Sequence, residues 1–342
     1  MVAFPDVEGI QSMCIATLPT LLEDENQRST AQQTGLTNVV LQAMVRFPDN
    51  VRLHTASFHT MVLLARPMGG REGMLFDNSM TEPHQLGLLG GNSSVSSVES
   101  SSSRPGQPRQ TRVGRISSGT SILLDSMKRF EKNAELQSMA CWSLVNIALS
   151  PTQKQALIDL GGFEATANAM KRHPHNADVQ FRALFGLINL VVPSKHQTND
   201  DTATGNNRNP EPSHRPSLGE RRSSGTESLD NFAGEIVHLV VAAMKYFCAS
   251  ETILNRACLV LHNISQTPEY LETLLWTPHC YQMLEWCIQN HPTDQVLRRS
   301  AISTLHRLQV MLSSDDRLRA RFSDHVQRQQ ELSLPKNRED CT

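Results

Sequence analysis

Residues 133–193 decide the fold, and they read NAELQSMACWSLVNIALSPTQKQALIDLGGFEATANAMKRHPHNADVQFRALFGLINLVVP. The apolar positions that recur every three or four residues in the first part are Leu136, Ala140, Leu144 and Ile147. This spacing is typical of an α-helix that buries one face and exposes the other. The stretch therefore begins with a predicted amphipathic helix.

Two more helices are predicted before the pattern begins again. A short one lies around residues 153–158 and ends at a Gly-Gly pair. The next covers residues 163–172 and ends before a His-Pro pair, because proline cannot continue a helix. Residues 176–180 (NADVQ) then repeat residues 133–137 (NAELQ) 43 positions later. A repeat of about 20–50 residues is the signature of a chain built from stacked, similar units.

The same repeat recurs elsewhere in the chain. The tripeptide QSM occurs at residues 11–13 and 137–139, which are 126 positions apart, or three times 42. The segments AMVRFP at 43–48 and AMKRHP at 169–174 have the same separation of 126. Two motifs in one register, at one multiple of the repeat, predict an array of repeats along the chain.

Residues 140–148 (ACWSLVNIA) carry a resemblance to the armadillo repeat family. The repeat length, the short first helix, the Gly-Gly turn, the two longer helices and the late asparagine all resemble that family. The resemblance implies an all-α fold, a right-handed superhelical armadillo-type α-solenoid of about six repeats. We expect the solenoid to cover residues 1–332 and to end in a flexible tail at residues 333–342.

Two polar insertions interrupt the predicted repeats. The first, rich in Ser and Arg, covers about residues 78–118, and the second covers about residues 195–230. Both have too little apolar content to offset the entropy of ordering, so we expect them to be disordered. Ser118 follows an arginine at −3, and Ser224 follows arginines at −3 and −2. These two serines are candidate phosphorylation sites, and a passive linker is the alternative.

Composition limits the classes of function. Hydrophobic residues make up 39% of the chain but aromatic residues only 5%, which suits aliphatic packing between helices. The formal net charge of −2 gives no general attraction to nucleic acid or to a membrane, so we expect neither as a partner. The seven cysteines fall mostly on predicted buried faces, as in a reduced protein. With no apolar leader and no long apolar run, the expected location is the cytoplasm, the nucleus or both.

The sequence predicts no catalytic, cofactor-binding or metal site. It has no Gly-rich phosphate loop, nucleophile elbow, HExxH or paired CxxC motif. His173 and His175 are in a turn without a third ligand, and His279 and Cys280 with Cys287 form a second weak cluster. We therefore expect no enzyme activity and no cofactor.

The resemblance implies that the third helix of each repeat lines a concave groove that binds peptides. The aligned groove residues are Met139, Trp142 and Asn146, then Arg182, Phe185 and Asn189, then Arg256, Leu259 and Asn263, and finally Ser300, Ser303 and Arg307. Steps of three and four keep each set on one helix face.

The repeated asparagines have two interpretations. Asparagine is a poor helix former, so its recurrence at Asn146, Asn189 and Asn263 needs a reason. Its amide can pair with both peptide groups of an extended ligand, which would make the three residues a binding row. Alternatively, each amide bonds a neighbouring repeat inside the protein.

The charge of the groove decides between two kinds of ligand. Trp142 with Asn146 resembles the groove of importin-α, but the aligned residues are Phe185, Leu259 and Ser303 in the later repeats. The arginines make the groove basic, which favours an acidic or phosphorylated peptide over a Lys-rich import signal. We predict a non-catalytic scaffold or adaptor that binds extended segments of other proteins. The alternative is a nuclear import adaptor of importin-α type.

Overall fold

The computed structural model describes residues 1–65, 112–192 and 224–329. Within these ranges the chain forms fifteen α-helices and one short 3-10 helix, Pro268–Tyr270, and no strand. The all-α prediction is thus confirmed for the described residues. The chain divides into two compact units, unit 1 (Met1–Leu160) and unit 2 (Gly161–Thr342).

Unit 1 contains seven helices in its described part. They are α1 (Glu8–Leu21), α2 (Glu25–Gln33), α3 (Leu36–Arg46), α4 (Val51–Leu64), α5 (Arg112–Arg129), α6 (Ala134–Ile147) and α7 (Pro151–Asp159). Helix α4 packs against both α1 and α6. These three are the predicted third helices of successive repeats, and they are neighbours within this unit.

Unit 2 contains the remaining eight α-helices of the described chain. They are α8 (Gly162–Arg172), α9 (Ala177–Val191), α10 (Ser224–Tyr246), α11 (Glu251–Ile264), α12 (Leu271–Trp276), α13 (Cys280–Asn290), α14 (Gln295–Ser314) and α15 (Asp316–Gln329). Helix α11 packs against α9 on one side and α14 on the other. The predicted third helices of this unit are therefore also neighbours.

Helices α5 and α10 begin earlier than the sequence predicted. Residues 112–118 are part of α5 and residues 224–230 are part of α10, although composition assigned both segments to the insertions. Neither segment contains proline. Extending an existing helix costs far less than starting one, so polar residues can join a helix that packing has already stabilised. The rest of both predicted insertions, and the predicted tail, lies outside the described residues.

Asparagines cap the helices that carry the repeat. The side chains of Asn50, Asn133 and Asn176 accept hydrogen bonds from the third backbone N–H that follows, at 2.9, 2.8 and 3.0 Å. Each bond satisfies a donor that a helix start leaves open. The repeated asparagine at the start of NAELQ and NADVQ is therefore a helix cap.

The turns before α3, α8 and α13 need a residue in the left-handed conformation. Gly161, with φ 95°, precedes α8, and Gly35, with φ 73°, precedes α3. Glycine adopts this conformation without a Cβ clash. His279 takes the same place before α13 with φ 63°, and it is the one non-glycine residue with positive φ in the described chain.

A side-chain clamp explains why glutamine recurs as the last residue of NAELQ and NADVQ. Gln137 donates to the carbonyls of residues ten and seven positions earlier, at 2.7 and 3.2 Å, and Gln180 does so at 2.9 and 3.0 Å. Gln11 makes the same two bonds in the first repeat. All three are buried. The bonds of Gln137 and Gln180 hold the end of one helix to the start of the next, and those of Gln11 hold the residues that precede α1. In the remaining repeat of unit 1, His54 takes this place and bonds the carbonyl of Phe47 at 3.2 Å.

The apolar residues of the repeat pattern form the interior of each unit. Leu144 in α6 is 1% exposed and Leu187 in α9 is fully buried. Both leucines therefore lie in the core, as the periodicity predicted. No helix in the described ranges combines the length and apolar character that a membrane crossing requires.

Candidate functional site

Helices α9, α11 and α14 of unit 2 carry most of the residues predicted to line a groove. Those that are partly exposed are Arg182, Phe185 and Asn189 on α9, Arg256 and Leu259 on α11, and Ser303 and Arg307 on α14. We call these seven residues the unit-2 face. Because α11 packs between the other two helices, the face spans three adjacent helices.

Arg256 joins α11 to the aromatic side of α9. Its guanidinium carbon lies 4.5 Å from the centre of the Phe185 ring and 5.8 Å from that of Phe181. Such cation–π contacts hold a guanidinium in place without neutralising its charge. The Nε atom of Arg256 is buried and makes no hydrogen bond in the described chain. Arg256 is therefore a positioned cation backed by phenyl rings.

Arg307 joins α14 to α11. Its Nη1 atom lies 2.8 Å from Ser303 Oγ, 3.4 Å from His262 Nδ1 and 3.5 Å from Ser265 Oγ. Burial, and then the charge of Arg307, lower the pKa of His262. A neutral imidazole beside the guanidinium is thus the favoured state near neutral pH. These four side chains form one polar cluster at the border of the two helices.

A shallow concavity follows the outer side of α14. It is lined by Gln295, Arg298, Arg299, Ile302, Ser303, His306 and Arg307. No carboxylate of the described residues lies within ion-pair distance of Arg256, Arg299 or Arg307. This part of unit 2 therefore presents cations that the described residues do not neutralise.

The three asparagines differ from one another. Asn263 is 8% exposed, and its amide donates to the Ile188 carbonyl of α9 at 3.2 Å. This is the internal alternative, so the expectation that Asn263 faces a ligand is wrong. Its position between two packed helices leaves it little access to solvent. Asn146 is partly exposed and donates to the Trp142 carbonyl of its own helix at 3.1 Å. Asn189 is also partly exposed.

Ser300 of α14, also predicted to line the groove, is buried at 6% exposure, and the other remaining groove residues are on α6 in unit 1. Met139, Trp142 and Asn146 are all partly exposed, as steps of three and four along one helix face require. None of them is charged. The face of α6 is therefore apolar with one amide.

The two candidate phosphorylation sites are both within helices. Ser118 is within α5, and Ser224 is the first residue of α10. The side chains of both lie outside the described residues, so their modification stays a prediction.

Residues of the two weak histidine and cysteine clusters make packing contacts in the structure. His175 stacks on Tyr246 with ring centres 4.2 Å apart. Burial raises the pKa of Cys280 to about 12, and a hydrogen bond with Cys287 and burial raise the pKa of Cys258. Thiols with raised pKa values are protonated and poor metal ligands. No group of three or more potential ligands occurs among the residues that the structure describes.

The comparisons with known proteins give no family for the chain. No protein-family model matches it, and no curated protein sequence matches it significantly.

Sequence reasoning missed the partly exposed His262 and the exposed His306, which extend the unit-2 face. The predicted register placed Arg256, Leu259 and Asn263 outward. In the structure α11 is rotated so that Asn263 points to α9 and His262 is partly exposed beside α14. His262, three positions after the predicted groove residue Leu259, was a signal for this second edge.

Proposed function

We propose that this protein is a non-catalytic scaffold of armadillo type that binds an extended acidic or phosphorylated segment of another protein. The observation that carries the proposal is the unit-2 face, where Arg256 and Arg307 have no carboxylate partner among the described residues. Unpaired cations held in fixed positions favour a ligand of opposite charge.

The local architecture supports the armadillo assignment of each unit. The asparagine caps, the left-handed turns at Gly35 and Gly161, and the glutamine clamps recur at matching places in successive three-helix repeats. Proteins built from such repeats use the exposed side of stacked helices as a binding surface. We expect such a scaffold to act in the cytoplasm or the nucleus.

The chemistry of the face favours a peptide over a compact ligand. Phe185 and Leu259 offer apolar contact between the cations of α9, α11 and α14. An extended chain places alternate side chains on one side, so acidic and apolar residues can meet these positions in turn. A Lys-rich import signal would meet like charges here, and so the import alternative depends on Trp142 and Asn146 of unit 1.

Binding of labelled peptides tests the proposal. We expect a peptide of alternating Glu and Leu to bind the full chain, and binding to weaken as salt is added. The double variant Arg182→Glu with Arg256→Glu should lower the affinity by at least about tenfold, since attraction becomes repulsion. The matched control is Arg317→Glu on the exposed side of α15 in the same unit.

Fluorescence anisotropy measures both affinities, and circular dichroism confirms that the variants are folded. Tighter binding of a Lys/Arg-rich peptide of equal length, retained or improved in the double variant, would contradict the proposal. That result would favour the import adaptor.

A further inference from the structure

The proposed function leaves open which ligand group meets the polar cluster between α11 and α14. We propose that Arg307 and Arg299 of α14, beside His262 of α11, bind the phosphate of a phosphorylated residue. This inference rests on the proposed function, because the phosphate is carried by the bound segment.

The first argument is a guanidinium that is held in place with donors to spare. Arg307 Nη1 lies within 3.5 Å of Ser303 Oγ, His262 Nδ1 and Ser265 Oγ. Nη1 is the donor in these contacts, and the Nε and Nη2 groups of Arg307 make no hydrogen bond with the described residues. A phosphate offers three oxygens that accept from several directions, whereas a carboxylate offers two in one plane. The Nε and Nη2 donors of Arg307, with the guanidinium of Arg299 in the same concavity, match the larger anion.

The second argument is charge. Arg299 and Arg307 both line the concavity along α14, and neither has a carboxylate within ion-pair distance in the described ranges. A phosphoserine carries a charge of about −1.5 to −2 at neutral pH. Two guanidinium groups therefore balance one phosphate.

The third argument is the apolar frame of the cluster. Ile302 lines the concavity and is 48% exposed, and Val310, three residues after Arg307 on α14, is 54% exposed. Large apolar side chains at these positions can contact the residues that flank a phosphoserine. A free phosphate ion would not use them, so the frame favours a peptide as the source of the phosphate.

Two labelled peptide pools test the proposal. Each has a fixed central residue, phosphoserine in one and serine in the other, between positions randomised over Leu, Val, Gly and Glu. We expect the full chain to bind the phosphoserine pool at least about tenfold more tightly, the range of charge-assisted hydrogen bonds. Inorganic phosphate should compete with the phosphoserine pool and leave the serine pool unaffected.

Two variants locate the phosphate. Arg307→Gln should remove most of the preference for phosphoserine, and Arg307→Lys should restore only part of it, because lysine lacks the planar fork. Arg299→Gln is a second test at an exposed position, where loss of folding is not expected. Arg317→Gln on α15 is the control of equal charge change and should leave the preference intact.

The outcomes separate the two proposals. Equal binding of both pools would overturn the phosphate site and leave the acidic-peptide scaffold standing. A preference for phosphoserine that survives both Arg307→Gln and Arg299→Gln would show that the phosphate binds elsewhere on the protein. Failure of both pools and of the Glu/Leu peptide to bind would overturn the scaffold as well. Arginine-dependent binding of phosphoinositide vesicles, with no binding of the phosphoserine pool, would replace the peptide with a membrane surface.

Discussion

Helices α6 and α11 have the same place in their repeats, yet they use the same asparagine differently. Asn146 of α6 donates to the Trp142 carbonyl within its own helix. Asn263 of α11 donates across to the Ile188 carbonyl of α9. In α6 the bond to a neighbouring third helix comes instead from Ser143, whose Oγ lies 3.2 Å from the Phe58 carbonyl of α4. A recurring residue type therefore fixes the position in the repeat but not the contact that is made.

The outer sides of the two helices also differ in chemistry. The face of α6 shows Met139 and Trp142, whereas that of α11 shows Arg256 and Leu259. Neutral apolar groups and a positioned guanidinium select different ligand side chains. The inward sides share one character, which is aliphatic packing. The comparison thus divides each helix into a common inner side and an outer side particular to its repeat.

The largest expected effect tests the common inner side. Leu144 of α6 is 1% exposed and Leu261 of α11 is fully buried. Truncation of either to Ala should lower the free energy of unfolding by about 2–5 kcal/mol, through lost burial and an added cavity. Urea unfolding followed by circular dichroism measures both losses.

The control for these truncations is Lys171→Ala. Lys171 pairs with Glu235, and the lysine side chain is about half exposed. Exposed ion pairs contribute about 0–1 kcal/mol, so the change should be small. Equal losses for Leu144→Ala and Lys171→Ala would show that Leu144 is not a core residue.

The next effect tests the contrast between the two asparagines. Asn263→Ala leaves the buried Ile188 carbonyl without this donor, and we expect a loss of about 1–3 kcal/mol in the free energy of unfolding. Asn146→Ala loses only a bond within its own helix, and alanine is the better helix former, so stability should stay nearly unchanged. Thermal melts of the two single variants, side by side, measure the difference. Equal shifts of the midpoint would mean that both amides have the same role.

Sequence periodicity predicted the helices because their signals are local. Caps such as Asn133, the turn at Gly161 and the apolar spacing of α6 all act within a few residues. In the sequence the glutamine clamp appears only as a glutamine that recurs at one place in the repeat. Its partners cannot be identified there, because they are backbone carbonyls, which every residue has. The early starts of α5 and α10 were missed because composition measures average polarity, whereas helix extension depends on the packed turns that follow.

The candidate site was predicted in part. Phe185 on α9, Arg256 on α11 and Arg307 on α14 are partly exposed, as the spacing predicted. Asn263 was assigned to the wrong side because a residue at the edge of a helix face can turn inward or outward. Its direction depends on the rotation of α11 against α9 and α14, a tertiary property that no spacing along one helix determines.

The smallest expected effect concerns the clamp of unit 1 in which His54 takes the place of glutamine. His54 is 3% exposed; its Nδ1 lies 2.7 Å from Ser126 Oγ, and its Nε2 bonds the Phe47 carbonyl. Burial lowers the pKa of His54, the hydrogen bond to Phe47 opposes that shift, and the nearby charges of Arg129 and Asp49 lower and raise it respectively. The unfolded chain, with a histidine pKa of about 6.5, therefore binds this proton more readily than the folded protein.

His54 should consequently make the stability of unit 1 depend on pH. The stabilising neutral state is fully populated above about pH 6.5, and stability falls as the pH drops from there through the lowered pKa of the folded protein, by up to about 1.4 kcal/mol for each pH unit. His54→Gln restores the residue of the other clamps, so we expect little change at pH 7.5 and a flatter profile below pH 6.5. The converse variant, Gln137→His, should add a similar dependence at the next clamp. Urea midpoints of the three proteins across this pH range measure the slopes, and a slope that His54→Gln leaves unchanged would assign the dependence to other groups.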